Sequence, residues 1–151
     1  MARPMSPERE REFEELSSYL DFYSTHVSEI DPADPIHPTN VGKWVVAEFG
    51  RSKALEGLKQ AVNDTVEELS GRPAEYVNRL DAALREKGLL TLSEVRRRYA
   101  SSYKRMLKRG KINTETEYYL SAAILADVSS LATGEERALL AQLVASYERE
   151  A

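Results

Sequence analysis

Apolar residues recur along this chain at the three- and four-residue spacings of amphipathic α-helices, and no stretch alternates as a half-buried β-strand does. The N-terminal segment shows this most clearly. Ser6 and Pro7 form a typical helix start, and Asp31-Pro32 and Asp34-Pro35 predict that the helix ends near Ile30. We expect its heptad-spaced seam to be buried, either against the rest of the chain or against a second copy. The seam residues are Phe13, Leu16, Leu20, Tyr23, Val27 and Ile30.

The remaining apolar patterns are separated by glycine and proline. A second helix is predicted to begin with Thr39 or Asn40 as its cap, and Gly50 either ends or weakens it. Capping-box sequences at Thr91 and Thr133 mark two later starts. The chain is therefore predicted to be an all-α, single-domain helical bundle of six or seven helices. Its segments are a long amphipathic helix over 1–30 that can stand apart, a proline-rich loop over 31–38 and a helical bundle over 39–151, together forming one structural unit.

Composition narrows the class of protein. The 151 residues include no cysteine, which excludes disulfides, thiolate metal sites and a cysteine nucleophile. The formal net charge is −4, which argues against wholesale coating of nucleic acid. No apolar run is long enough to span a membrane, and the N-terminus lacks the apolar core of a signal peptide. A cytoplasmic protein without a membrane partner is expected.

Charge is distributed unevenly along this acidic chain. Between Glu94 and Lys111 it carries eight basic residues and a single acid, on a pattern that predicts one continuous helix over 95–111. An anion-binding face is one interpretation, with tyrosines beside the cations for base stacking. The other is internal pairing with acidic helices, for which the glutamates of the first helix are natural neighbours. The candidate residues for binding a partner or nucleic acid are Arg97, Tyr103, Lys104, Arg105, Lys108 and Arg109.

Two short runs at the ends of the basic segment resemble the winged helix-turn-helix readers of the excisionase type. They are the run from Leu89 to Val95 and the run from Lys108 to Ile112. The resemblance implies a turn between two short helices and a role in reading DNA. The stretch from Arg98 to Tyr103 has no glycine and is about three residues too short for that turn, so the family is not assigned.

Catalytic and metal-binding motifs are absent from the sequence. His26 and His37 flank Asp31 and Asp34, but their spacing matches no metal motif, and Asp-Pro pairs are common in turns. Ser101 and its neighbour lie in a predicted helix without a glycine elbow. We therefore predict no metal, no cofactor and no enzymatic activity.

Protein–protein contact is the function that the abundant amphipathic seams favour. The chain is expected to be a small regulatory or inhibitory protein, of the antitoxin, immunity or adaptor type, with a protein partner or a homodimer formed through the N-terminal helix. The alternative is a nucleic-acid-binding regulator that uses the basic helix, and the third is an enzyme with an unrecognised site. Trp44 is expected in the core, and would be an interface anchor if it faced solvent.

Overall fold

A computed structural model describes residues 4–151, in which the chain forms eight α-helices, one π-helical turn and no strand. The predicted all-α fold is confirmed. The predicted number of six or seven helices is too low, because Gly50 ends one helix and Ala100 divides another. The helices are α1 Pro7–Phe22, α2 Pro38–Phe49, α3 Arg51–Glu68, α4 Ala74–Glu86, α5 Leu92–Tyr99, α6 Ser101–Arg109, α7 Glu115–Ala126 and α8 Gly134–Glu150.

The helices group into two compact units, one extending to Thr65 and the other covering Val66–Ala151. The division lies in the last turn of α3. The predicted segments 1–30, 31–38 and 39–151, and their union in one structural unit, stay predictions. The first three residues of the segment 1–30 lie outside the described residues.

The first helix starts as predicted and ends earlier. Ser6 Oγ accepts a hydrogen bond of 3.2 Å from the Arg9 N–H, and Pro7 is the first helical residue. At Tyr23–Val27 the helix passes into a π-helical turn and stops before Ile30. This wider turn rotates the following side chains about the axis, so the heptad phase of the sequence is lost at this end.

The middle of the predicted seam is buried within the chain itself, whereas Phe13, Val27 and Ile30 at its ends are half-buried. Tyr19, which the seam omits, is also fully buried, and its hydroxyl shares a hydrogen bond of 2.9 Å with Thr65 Oγ1. A homodimer through this helix stays a prediction, but these seam residues already have contacts inside the chain. The buried members of the seam are Leu16, Leu20 and Tyr23.

Ion pairs fix α1 beside α3. Arg51 lies 2.8 Å from Glu10, and Lys59 lies 3.2 Å from Glu12. Both partners advance in the same order along their helices, so α1 and α3 run in the same direction. Two of the glutamates that were candidates for pairing with the basic segment therefore have partners on α3.

The cap of α2 is a buried histidine rather than Thr39 or Asn40. His37 is fully buried, and its Nδ1 accepts a hydrogen bond of 3.1 Å from the Thr39 N–H. The other ring nitrogen, Nε2, lies 3.0 Å from Thr25 Oγ1. His37 thus joins the π-helical turn after α1 to the start of α2.

The second unit has a continuous core that α6, α7 and α8 share. Met106 is its most enclosed member on α6, and Leu140 is the most enclosed on α8. Packing in this core covers one face of α6 and leaves the other face exposed. The buried residues of the core are Ala100, Tyr103, Met106, Ile112, Leu120, Ile124, Leu140, Leu143 and Val144.

Burial of the α1 seam is tested by placing a charge in it. We expect Leu20→Asp to lower the free energy of unfolding by several kcal/mol, because it strands a carboxylate at a position that is 6 % exposed. Ser18→Asp adds the same charge at an exposed position of the same helix and is the matched control. Equal melting temperatures for the two variants would contradict the packing of α1.

The junction of α2 and α3 is tested at Gly50, which has φ 87° and ψ 166°, a region essentially restricted to glycine. We expect Gly50→Ala to cost about 1–3 kcal/mol of stability. Gly57→Ala, in the open interior of α3, should instead be neutral or stabilising by up to about 1 kcal/mol. Chemical denaturation measures both, and a neutral Gly50→Ala would argue against this junction.

Candidate functional site

The basic segment is not one helix. Ala100 has extended backbone angles, φ −71° and ψ 116°, and separates α5 from α6. The prediction of a continuous helix over 95–111 is therefore wrong. Ala100 is 4 % exposed, and the bend at this residue lets Val95 of α5 and Tyr103 of α6 both be buried. Tertiary packing outweighs local helical periodicity here.

The arginines of α5 point into the protein. Arg96 is 5 % exposed and donates a hydrogen bond of 2.9 Å to the Leu69 carbonyl. Arg97 donates from Nε and Nη2 to the Glu94 carboxylate, at 2.9 and 2.7 Å. Arg98 donates to the same carboxylate at 2.8 Å. Internal pairing thus describes the α5 half of the segment.

Glu94 is the centre of this arrangement. Its carboxylate is 3 % exposed, and it also accepts a hydrogen bond of 3.3 Å from the Leu131 N–H. Burial alone would raise the pKa of Glu94, but the hydrogen bonds from Arg97 and Arg98 outweigh it and hold the pKa below its ordinary value. The carboxylate is therefore ionised at neutral pH and is shared by two cations.

A second buried carboxylate holds the start of α5. The Thr91 hydroxyl accepts from the Glu94 N–H at 2.9 Å and donates to Asp127 Oδ2 at 2.6 Å. Arg85 donates to the other oxygen of Asp127 at 2.9 Å. Burial opposes ionisation of Asp127, yet the hydrogen bonds from Thr91 and Arg85 lower its pKa. Asp127 thereby links α4, α5 and the end of α7.

Asp81 of α4 also holds the start of α5, but its pKa is shifted in the opposite direction to that of Asp127. It accepts hydrogen bonds from both the N–H and the hydroxyl of Ser93. Burial dominates at this site and raises the pKa of Asp81. Asp81 and Asp127 are only 3 % and 2 % exposed. Their carboxylate oxygens accept hydrogen bonds from other residues of the chain, so they are placed to hold helices together rather than to meet a substrate.

Tyr103 does not offer its ring to solvent. It is 1 % exposed, and its hydroxyl donates to Glu136 Oε2 at 2.7 Å. Arg97 donates to the other oxygen of Glu136 at 3.1 Å. Burial, together with the bond to Glu136, raises the pKa of Tyr103 well above its ordinary value. The structure thus brings Arg97 and Tyr103 together around Glu136 of α8.

The other candidate cations lie on the outside of α6. Lys104, Arg105 and Lys108 are exposed, and no hydrogen bond or ion pair engages them within residues 4–151. Arg109 is held at 2.6 Å from Glu117 and also donates to the Lys111 carbonyl. The predicted set is therefore divided between an internal group on α5 and an outward group on α6.

A different surface, which we call the α2 face, is apolar and exposed. It consists of Val41, Trp44 and Phe49 of α2, with Ile36 just before the helix. The expectation of Trp44 in the core is wrong, because its side chain is 58 % exposed and Phe49 is 61 % exposed. The two rings meet edge to face at 5.8 Å. No residue of α2 is buried, which is unusual for so apolar a helix.

A cleft runs along the opposite side of α2. Its volume is about 490 Å³, and it lies among α1, α2 and α3. Phe13, Val46 and Leu58 supply apolar walls, and Asp21 and Lys43 lie at its edge. Helix α2 faces α1 and α3 on the side of this cleft only, so the α2 face is exposed to solvent.

The histidine loop forms no metal site in the described part of the chain, where no group of three or more potential ligands comes together. His37 is used as a helix cap, and His26 packs on the Phe22 ring at 4.6 Å. Asp31 and Asp34 accept hydrogen bonds from backbone N–H groups two residues ahead. Among the helices described, none is long and apolar enough to cross a membrane.

Comparison of the chain with models of protein families, with curated proteins and with solved structures finds no match in any of the three.

Sequence reasoning missed the acid network and the α2 face. The spacing of Glu94 to Arg97 and Arg98, three and four residues, is a signal that could have revealed the internal pairs. Asp81 and Asp127 carry no such signal, because their partners are distant in the sequence. The α2 face was visible as an apolar pattern, but amphipathic periodicity cannot tell a covered face from an open one.

The role of Glu94 is tested by Glu94→Gln, which leaves Arg97 and Arg98 without their shared anion. We expect a loss of about 1–3 kcal/mol at neutral pH. Because the pKa of Glu94 is lowered in the folded state, its contribution is present above its ordinary value of 4.5 and is lost as the pH falls below it. The stability gap between wild type and variant should therefore close in acid.

Thermal unfolding across this pH range provides the measurement, with Glu86→Gln on the exposed surface of α4 as the charge-matched control. A Glu94→Gln protein as stable as Glu86→Gln at neutral pH would show that the Glu94 pairs contribute nothing.

Proposed function

We propose that this protein is a small cytoplasmic regulatory or inhibitory protein, of the antitoxin, immunity or adaptor type, that binds a protein partner through the α2 face. The observation that carries the proposal is the exposure of Trp44 and Phe49 on one side of a helix without buried residues. Large aromatic side chains on a contiguous apolar patch are typical of interface anchors.

The geometry of the α2 face supports this role further. Val41 and Trp44 are one turn apart, and the Trp44 and Phe49 rings meet at 5.8 Å, so the three form one stripe rather than scattered contacts. Glu48 is the only charged residue within this stripe, and its side chain is exposed. An amphipathic helix that carries an apolar stripe and one basic residue opposite Glu48 would complement the surface.

Binding is favoured over catalysis as the way in which the protein acts. The buried carboxylates Asp81 and Asp127 are occupied by hydroxyl and guanidinium donors of the chain itself. The nucleic-acid alternative would use a different element, α6.

The proposal is tested by purifying the protein from its own cells and identifying what accompanies it by native mass spectrometry. We expect a protein partner that is lost from the double variant Trp44→Ala with Phe49→Ala. The melting temperature of this variant should change little, because both side chains are more than half exposed.

Val128→Ala with Leu131→Ala is the matched control, since both residues are exposed apolar side chains of the α7–α8 connection. Trp44, the only tryptophan, also serves as a probe: its fluorescence should shift to the blue when the partner covers it. A partner retained by the Trp44 and Phe49 variant would contradict the proposal.

A further inference from the structure

We propose that α6 is a binding surface for the phosphate backbone of duplex DNA, a second activity that is independent of the α2 face. The surface is the outer side of α6, which carries the serines Ser101 and Ser102 and a group of cations. Its cations are Lys104, Arg105, Lys108 and Arg109, followed by Lys111 at the end of the helix.

Three of these cations are available, unlike those of α5, whereas Arg109 is paired with Glu117. Lys104, Arg105 and Lys108 are exposed and have no acidic partner within the described residues, whereas Arg97 and Arg98 are paired with Glu94. No acid occurs within α6 itself. Acids lie around the helix: Glu117 pairs with Arg109, Glu150 lines a small cleft together with Lys111, and Glu115 lines another with Ser102.

The shape of the surface matches a groove better than a plane. At about 100° per residue, Lys104, Lys108 and Arg105 span about 100° of the circumference, and Arg109 extends the arc to about 140°. Tyr103 and Met106 occupy the opposite side and are buried in the core. A rod with cations on both flanks can reach phosphates on both walls of a major groove, which is about as wide as an α-helix.

Duplex is favoured over single-stranded nucleic acid because the one tyrosine within α6 is enclosed. Tyr103 is 1 % exposed and bonded to Glu136. Single strands are usually gripped by exposed aromatic rings beside a basic groove, and α6 presents no aromatic residue on its exposed side. What remains on that side is hydroxyl and cationic groups, which suit phosphate oxygens.

An acidic protein is the other kind of partner that the cations of α6 could bind. Both partners would need the free cations, but only DNA offers phosphates on two sides of an inserted helix. A flat acidic surface would engage one flank of the arc and would leave either Lys104 or Arg105 unused. The width of the arc therefore favours the duplex.

The test is fluorescence anisotropy of a labelled mixed-sequence duplex of about 20 base pairs, two helical turns, titrated with the whole protein. At about 50 mM salt we expect saturable binding that weakens steeply as salt is added. Three to four phosphate contacts imply a slope of log K against log[salt] of about −3 to −4.

The decisive variant is Lys104→Glu with Lys108→Glu, which we expect to weaken binding at least about tenfold. Its control, Lys53→Glu with Lys87→Glu, makes the same change in net charge at exposed positions outside α6 and should bind like wild type. Lys104→Arg with Lys108→Arg should also keep binding. Circular dichroism checks folding, and Lys104→Ala with Lys108→Ala replaces the charge reversal if that variant unfolds.

Several results would overturn the proposal. One is the absence of duplex binding at about 50 mM salt. Another is an equal loss in the Lys53 and Lys87 control, which would assign the binding to net charge rather than to α6. The proposal also fails if the corresponding single strand or polyglutamate competes for the protein more strongly than unlabelled duplex does.

Discussion

The ion pairs of Glu94 with Arg97 and Arg98 determine which cations of the basic segment are held inside the protein and which are exposed. One buried carboxylate, 3 % exposed, pairs with two guanidinium groups, and Glu136 supplies a second negative charge beside Arg97. Leaving either side unpaired in that setting is costly, so the arginines are fixed where they cannot serve an external anion. Thr91 and Asp127 secure the same helix start by hydrogen bonds. Of the basic segment, only the part after Ala100 therefore remains open to a partner.

Two exposed surfaces of opposite chemistry result, each on a helix that is held from one side. Helix α2 lies along the cleft with α1 and α3 and leaves Trp44 and Phe49 in solvent. Helix α6 buries Tyr103 and Met106 and leaves Lys104, Arg105 and Lys108 outside. An apolar stripe and a cationic arc suit partners of different chemistry, so a regulator that joins a protein to a nucleic acid is consistent with both proposals.

Local signals predicted the helices well, because capping residues such as Ser6 and Thr91 act within one turn of the chain. The break at Ala100 could not be found in this way, since burial of that residue against distant helices outweighs a periodicity that continues across it. The same holds for Trp44: a helix pattern shows which residues share a face, but not whether another element covers it. Of the buried ion pairs around α5, only those of Glu94 with Arg97 and Arg98 could have been predicted from the sequence, because they are three and four residues apart.

The most direct test of the division between α5 and α6 is side-chain NMR of the arginine guanidinium groups, assigned by Arg→Lys substitution. The structure predicts slowly exchanging Nε–H signals for Arg97 and Arg98, because Glu94 holds both, and a rapidly exchanging, motionally averaged signal for Arg105 on the surface of α6. Arg97 and Arg98 signals that exchange as fast as that of Arg105 would contradict the account.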